Sequence, residues 1–307
     1  MKRHVTVVLA GSLASVASAQ THGSGEAPEP TRERFFDTEL NITGDHAFSA
    51  NVDGGGDVSV TRAMGMLWLA HSFSPTLRLS LQLSEEASWY DFSNATGLIA
   101  GSGRPFSQLL ETDIAPGVSV KLNDRWTALG GAFFRFAGEG DADVGDSFTW
   151  GGYAAASYRA SKDFSITLGV RVNDRLEEDR LILPAVALDW NVSQTVRVQF
   201  IPAVGGAGFR VTSAINDRWS FLIDGEYQRR EFRLNDEAPL PEGIVRDSRA
   251  MIGVGVVYKP TDKIELTARA GAVVWQEFRI DDRDGNQLAT PNTDPAPYIF
   301  IGGKINF

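Results

Sequence analysis

The sequence predicts an all-β fold, an antiparallel up-and-down transmembrane β-barrel of about fourteen strands, with twelve as the smaller possibility. Three observations predict it. Apolar and polar residues alternate with period two from about residue 38 onward, which is the signature of strands with two different faces. The connections between these segments are short and long in turn. No apolar window long enough for a membrane helix follows the first residues, so any crossing is made by strands.

The chain opens with Lys2 and Arg3, a largely apolar run from Val5 to Ala17, and Ala17-Ser18-Ala19. A positive start, a short apolar core and small residues at the cleavage position define an export signal over 1–19. An uncleaved anchor is the alternative, and the Ala-Ser-Ala pattern argues against it. Residues 20–37 hold Pro28, Pro30 and several charges without periodicity, and are expected to form a flexible periplasmic lead-in. The barrel then occupies 38–307. Its strands are expected at 39–50, 58–73, 77–90, 113–122, 126–137, 148–160, 164–173, 181–190, 195–202, 208–215, 218–230, 248–258, 263–280 and 295–307. In the seventh, Phe164, Ile166, Leu168, Val170 and Val172 form one face, and Ser165, Thr167, Gly169 and Arg171 the other. An even count returns both termini to the periplasmic side. Pro116 and Pro184 each remove a ladder donor and are expected at bulges or strand ends. In the second strand Arg62 shares a face with Val58 and Val60, a conflict that a bulge would resolve.

Short turns fall at 74–76, 123–124, 161–163, 191–194, 216–217 and 260–262; the other connections are mostly longer, at 91–112, 138–147, 174–180, 231–247 and 281–294, with brief ones at 51–57 and 203–207. Short periplasmic turns facing longer outer loops are the outer-membrane pattern, and the expected location is the bacterial outer membrane. Aromatic side chains fit two interfacial belts. Trp126, Trp190 and Trp219 lie beside short turns, while Trp89, Trp150 and Trp275 lie beside long ones; Trp68 is the exception. Asn-Asp-Arg-Trp occurs at 123–126 and again at 216–219, as recurring turn chemistry.

Composition narrows the functions. The formal net charge is −10, and the export segment carries only basic charge, so the exported chain is more acidic still. Nucleic acid is excluded as a partner, because phosphate binding needs concentrated positive charge. Cysteine is absent, which removes disulfides, thiolate chemistry and cysteine metal sites. Of the four histidines, His4 is in the signal, His22 in the lead-in, His46 in the first strand and His71 beside a periplasmic turn. None stands at an outer strand end with the partners a Ser–His hydrolase needs, and no hydrolase, zinc-protease or nucleotide-loop motif occurs, so no enzyme and no cofactor is expected. Asp141 to Asp146 and Asp282 to Asn286 resemble the start of calcium loops, but Thr293 stands where the twelfth-position glutamate belongs in the second. No metal is assigned.

The charges expected to face the lumen carry the functional argument. They include Arg78, Lys121, Arg135, Arg159, Arg171, Arg197, Arg210, Arg249, Arg269 and Arg279, with Glu86, Asp224, Glu226, Glu265 and Glu277. A basic wall around water would favour anions; the same charges paired across strands would merely fill the interior. The first case is a porin-like passive channel for small polar or anionic solutes. The second is a non-conducting structural or adhesion barrel whose long loops bind partners. A soluble periplasmic β protein is a third reading, and it would wash off membranes without detergent.

The final segment alternates Ile299, Ile301, Gly303, Ile305 and Phe307 on one face. It resembles the assembly signal of bacterial outer-membrane barrels, with Gly302, Ile305 and Phe307 at its glycine and hydrophobic positions and Phe300 where a polar residue is usual. That resemblance implies the barrel-assembly machinery, periplasmic chaperones and outer-membrane lipid as partners. With Gly55 to Arg62 (GGDVSVTR) and the Asn216-to-Trp219 turn, nearly all of the mature chain resembles a family of outer-membrane β-barrels of unknown function from environmental Gram-negative bacteria. The resemblance implies fold and location and brings no activity or site residues.

Overall fold

The structure, a computed structural model, describes residues 36–99, 101–203, 206–237 and 239–307. The expected signal and the lead-in up to residue 35 lie outside the described residues. The wall strands are β1 (Asp37–Asn51), β2 (Asp57–Ser72), β3 (Leu77–Ser93), β4 (Gln108–Lys121), β5 (Trp126–Glu139), β6 (Phe148–Arg159) and β7 (Phe164–Arg175). They continue with β8 (Glu178–Asn191), β9 (Val196–Ala203), β10 (Gly206–Ala214), β11 (Trp219–Arg233), β12 (Ile244–Thr261) and β13 (Ile264–Asp281). Two short pieces, β14 (Gln287–Ala289) and β15 (Asn292–Thr293), fold back on β13 before the last strand, β16 (Ala296–Asn306). Each wall strand pairs antiparallel with its sequence neighbour. β16 pairs both β13 and β1, from Glu39↔Asn306 to Ala47↔Tyr298. The ring therefore closes on fourteen strands, which leaves no sheet edge in lipid at the seam.

One rim carries the start of β1, the end of β16 and the short turns, the other the longer connections. At all six short turns a side-chain oxygen accepts backbone N–H groups two or three residues on. Asn123 accepts from Arg125 at 2.9 Å and Trp126 at 3.0 Å, and Asn216 does the same for Arg218 and Trp219. Ser74, Ser161, Ser193 and Thr261 serve the other four. Such Asx and Ser/Thr turns satisfy backbone donors where the ladder stops. The outer surface is apolar, with Leu83, Phe134, Leu168, Val170, Phe221, Val254 and Ile301 exposed. Trp126, Trp190 and Trp219 are exposed near the turn rim and Trp89, Trp150 and Trp275 near the loop rim. Trp219 stacks on Tyr258 with ring centroids 4.5 Å apart, and Tyr227 on Trp275 at 6.2 Å. Trp68 points inward instead, beneath the Arg78 guanidinium at 5.0 Å.

Two expectations about faces need correction. The β12–β13 ladder passes from Ala250↔Trp275 to Met251↔Val273, so Val274 is an extra residue in a bulge. Val273 is buried inside, Val274 and Trp275 are both exposed outside, and Gln276, Phe278 and Ile280 return to the interior. Glu277 and Arg279, expected in the lumen, are carried to the outer face, because one inserted residue inverts every later side chain. Deleting Val274 is expected to prevent formation of a heat-modifiable barrel, since it would drive Glu277 and Arg279 into an apolar interior. Glu277→Gln should leave migration on unheated gels unchanged. Lys121 keeps the inward parity of Asp113 and Ala115, but stands at the turn rim, where it is exposed and paired with Asp124 at 2.8 Å. No bulge interrupts β2 in its ladder to β3: Val58, Val60 and Arg62 all face inward and are buried.

The prolines sit where the ladder is weak. The β4–β5 pairing skips from Ile114↔Phe134 to Gly117↔Gly131, passing over Pro116. Pro184 lies on the part of β8 that has no partner in β9, whose pairing begins only at Leu188↔Phe200.

Candidate functional site

The candidate site is the lumen, which has two layers. Near mid-height the walls are joined by ion pairs reaching between distant strands. Arg249 of β12 donates to both carboxylate oxygens of Asp45 on β1, at 3.0 and 3.1 Å. Arg230 of β11 donates to Glu86 on β3 at 2.6 and 2.8 Å. Arg62 of β2 pairs with Asp247 of β12, and the same carboxylate accepts from Tyr90 Oη at 2.7 Å and Gln276 Nε2 at 2.9 Å. Arg269 and Arg210 converge on Asp224 at 2.5 and 2.8 Å. Buried charges are tolerable in this form because each has an opposite charge and a hydrogen-bond partner.

Other expected lumen residues are also placed inside and also paired. Arg135 holds Asp113 at 2.8 Å and Glu111 at 3.0 Å, and Arg197 holds Asp189. Arg78 reaches Asp37 at 2.7 Å near the turn rim, and Glu265 lies between Lys259 and Lys304 at 3.5 and 3.9 Å. Arg171 lies over the Phe133 ring at 4.3 Å and donates to Asn173. Phe300, out of pattern for the terminal strand, lies beneath Arg269 at 3.6 Å. Its ring faces the lumen, where a cation–π contact takes the place of a polar group. Thr43, Asp45, Arg62, Glu86, Arg230 and Arg269 are among the residues around an open space of about 530 Å³ in this layer.

Above it, at the loop rim, the interior is apolar. Val58, Val60, Tyr90, Phe92, Phe232, Val245, Phe278 and Ile280 point in from the walls. The connection between β3 and β4 turns into the barrel to meet them, burying Ala95, Leu98, Ile99 and Phe106. Phe106 makes edge contacts with Tyr90 and Phe92, each at 5.0 Å between centroids. The result is a cap across the mouth. It accounts for Val58 and Val60: inward positions are apolar where the lumen contains a plug instead of water.

Sequence reasoning missed Asp45, Arg62, Arg230 and Asp247, which make the most connected bridges. Asp247 fell in a segment taken for a loop, whereas β12 begins at Ile244. The signal that could have found it is the polar–apolar alternation Val245, Asp247, Arg249, Met251, which a strict apolar-outside rule hides. The calcium-like segments satisfy themselves. Asp143 accepts from Gly145 N–H at 2.7 Å, and Asp282 accepts from both the side chain and the backbone of Asn286. Those Asn286 bonds hold the Asp282 carboxyl below the usual carboxylate range. Among the described residues no cluster of three metal-binding side chains occurs. His46 Nδ1 is 2.8 Å from Thr61 Oγ1 on the exposed face of the wall, and His71 lies between the rings of Phe36 and Phe73.

A closed antiparallel ring, apolar outside with aromatic belts and charged inside, defines a transmembrane β-barrel. Within that class, the chain belongs to the family described as Domain of unknown function (DUF6268), whose model matches residues 105–306. No curated protein matches the sequence. Among solved structures the chain is similar to the toluene transporter TodX of P. putida, at 10% identity and a TM-score of 0.41, over 90% of this chain and 91% of that one. It is similar to the translocator domain of the autotransporter NalP of Neisseria meningitidis, at 12% identity and 0.39, over 96% and 93%. A Pseudomonas aeruginosa FadL homologue aligns at 10% identity and 0.40, over 89% and 90%.

Proposed function

We propose that the chain is a bacterial outer-membrane barrel that passes small polar or anionic solutes through a narrow, capped lumen. The observation that carries this reading is the open space beneath the cap, lined by Arg62, Arg230 and Arg269 together with Asp45, Glu86 and Glu226. A charged wall around a water-sized passage sorts solutes by charge and size. The pairing of most of these arginines predicts weak anion preference and small conductance, not the behaviour of an open basic pore. The outer-membrane location rests on the belts and on the sorting of turns and loops to opposite rims. Assembly by the barrel machinery and its chaperones follows from the terminal strand, where Ile305 and Phe307 face lipid and Gly302 faces in. A non-conducting barrel with partner-binding loops is the second reading, and the apolar cap favours it.

Refolded protein in planar bilayers under a salt gradient separates the two. Small, steady current steps with mild anion preference, reduced in Arg269→Glu, are the expected result. An inserted, heat-modifiable but silent barrel would remove the channel reading and leave the second.

A further inference from the structure

A closed wall separates residues facing lipid from residues facing the lumen, and the two sets cannot line one cavity. One cavity in this barrel breaks that rule. On β11, Trp219, Phe221, Ile223 and Tyr227 are exposed on the outer face. The ladder to β12 runs from Trp219↔Tyr258 to Arg233↔Ile244 without a shift, so parity places Arg229 and Glu231 on the same outer face. Yet both line an open space of about 560 Å³ together with Phe133, Arg135, Thr149 and Leu181. Those four belong to the lumen faces of β5, β6 and β8, opposite the exposed Phe134, Trp150 and Ile182. The wall must therefore be interrupted between β8 and β11.

The interruption can be located. β8 spans Glu178–Asn191 but pairs with β9 only from Leu188↔Phe200 to Asn191↔Arg197. The β9–β10 hairpin ends at the Ala203↔Gly206 pair, and β11 continues beyond Tyr227 with no β10 partner. β9 has eight residues, fewer than the roughly 9–11 a tilted strand needs to cross the apolar layer. The upper end of β11 leans across instead and touches β5 at Arg233↔Gly138. Above the gap, Arg175 meets Glu231 at 3.3 Å and Glu178 meets Arg246 at 3.3 Å, joining the tip of β7–β8 to β11–β12. The wall thus overlaps itself like a scroll. It leaves a window with the short hairpin as floor, β8 and β11 as sides and ion pairs as roof.

We propose that this window is a lateral port through which a small amphiphile with one anionic headgroup passes between the side cavity and the apolar layer of the membrane. The port rests on the membrane-barrel part of the reading above and not on axial conduction. Its outer edge is apolar, with Ile182, Phe200 and Phe209 exposed, and Phe133, Leu176 and Leu181 continue that character inside. The head is set by charge. Arg135 and Arg175 are already held by carboxylates, whereas Arg229 forms no salt bridge among the described residues. A partly desolvated guanidinium without a direct ion pair, its neighbour Glu231 being engaged by Arg175 and Arg246, favours an anion that supplies one.

The absence of cysteine lets single labels be placed freely. A bimane would be attached at Leu181→Cys (lumen face), Ile182→Cys (lipid face) and Thr43→Cys (lumen face of β1, which pairs only β2 and β16), each in vesicles of acyl-brominated phosphatidylcholine. The expected result is quenching at position 181 comparable to that at 182, with position 43 unquenched. Decanoate should protect 181 but not 182, and Arg229→Gln should raise the decanoate needed by about tenfold, the size of one lost charge-assisted bond. Position 181 behaving like 43 would mean a closed wall and overturn the port. Quenching that decanoate leaves unchanged, or protection indifferent to Arg229→Gln, would overturn the ligand. No current is measured, so a silent barrel leaves this test intact.

Discussion

The double variant Leu98→Glu/Phe106→Glu is expected to open the mouth of the barrel and raise its conductance by about tenfold or more. Both side chains are buried in the apolar cap, on a connection that contributes nothing to the fourteen-strand ring. A carboxylate forced into such a cluster costs several kcal/mol, and ~1.4 kcal/mol already shifts a population tenfold, so the outward position of the loop becomes the major one. The ladder from β3 to β4, Leu77↔Val120 to Trp89↔Gln108, stays intact. Heat-modifiable migration should therefore be unchanged while current steps grow. Unchanged steps from a properly inserted variant would show that the barrier lies deeper, among the ion pairs.

Asp247→Ala is expected to cost about 3–5 kcal/mol of stability, the loss typical when one partner of a buried pair is removed. Asp247 accepts from Arg62, Tyr90 and Gln276, joining β12 to β2, β3 and β13. Both Arg62 and Asp247 are fully enclosed. Without the carboxylate the Arg62 charge remains inside with no counter-ion. The double variant Arg62→Met/Asp247→Leu should recover most of the loss, because an apolar pair of similar volume removes the desolvation penalty along with the attraction. Urea titration of vesicle-inserted protein measures both. A double variant as unstable as the single one would mean the bridge itself, and not relief of a stranded charge, holds those strands.

Much of the architecture was legible before any coordinates. The alternation of Phe164 to Val172, or of Leu77 to Leu83, specifies a two-faced strand wherever it occurs. Every expected strand lies on an observed one, with β4 and β12 beginning earlier than their patterns suggested, at Gln108 and Ile244. The six tryptophans expected in the belts are exposed on the outer wall near its rims, positions that suit an indole with one apolar and one wet end. The turn chemistry was read at Asn123 and Asn216 and missed at the four turns where Ser or Thr does the same work. The candidate site was legible only in part. Arg197, Arg249 and Arg269 were assigned inward by parity, and parity failed at Glu277 because one bulge residue, Val274, is invisible in a sequence that alternates through it.

The sequence by itself determined a chain that must close a ring of alternating strands, with lipid outside, charge inside and both ends at the turn rim. It did so because strand periodicity, turn residues and interfacial aromatics are local properties that each segment expresses on its own. Only the tertiary structure decided which charges meet, that the β3–β4 connection folds inward, and that β11 crosses to β5 while the β9–β10 hairpin stops short. Those outcomes depend on contacts between residues far apart in the chain, such as Arg62 with Asp247 and Arg230 with Glu86. No local pattern encodes such partners, since any inward arginine could pair with any inward acid until the strand order, the shear and the bulges fix their heights.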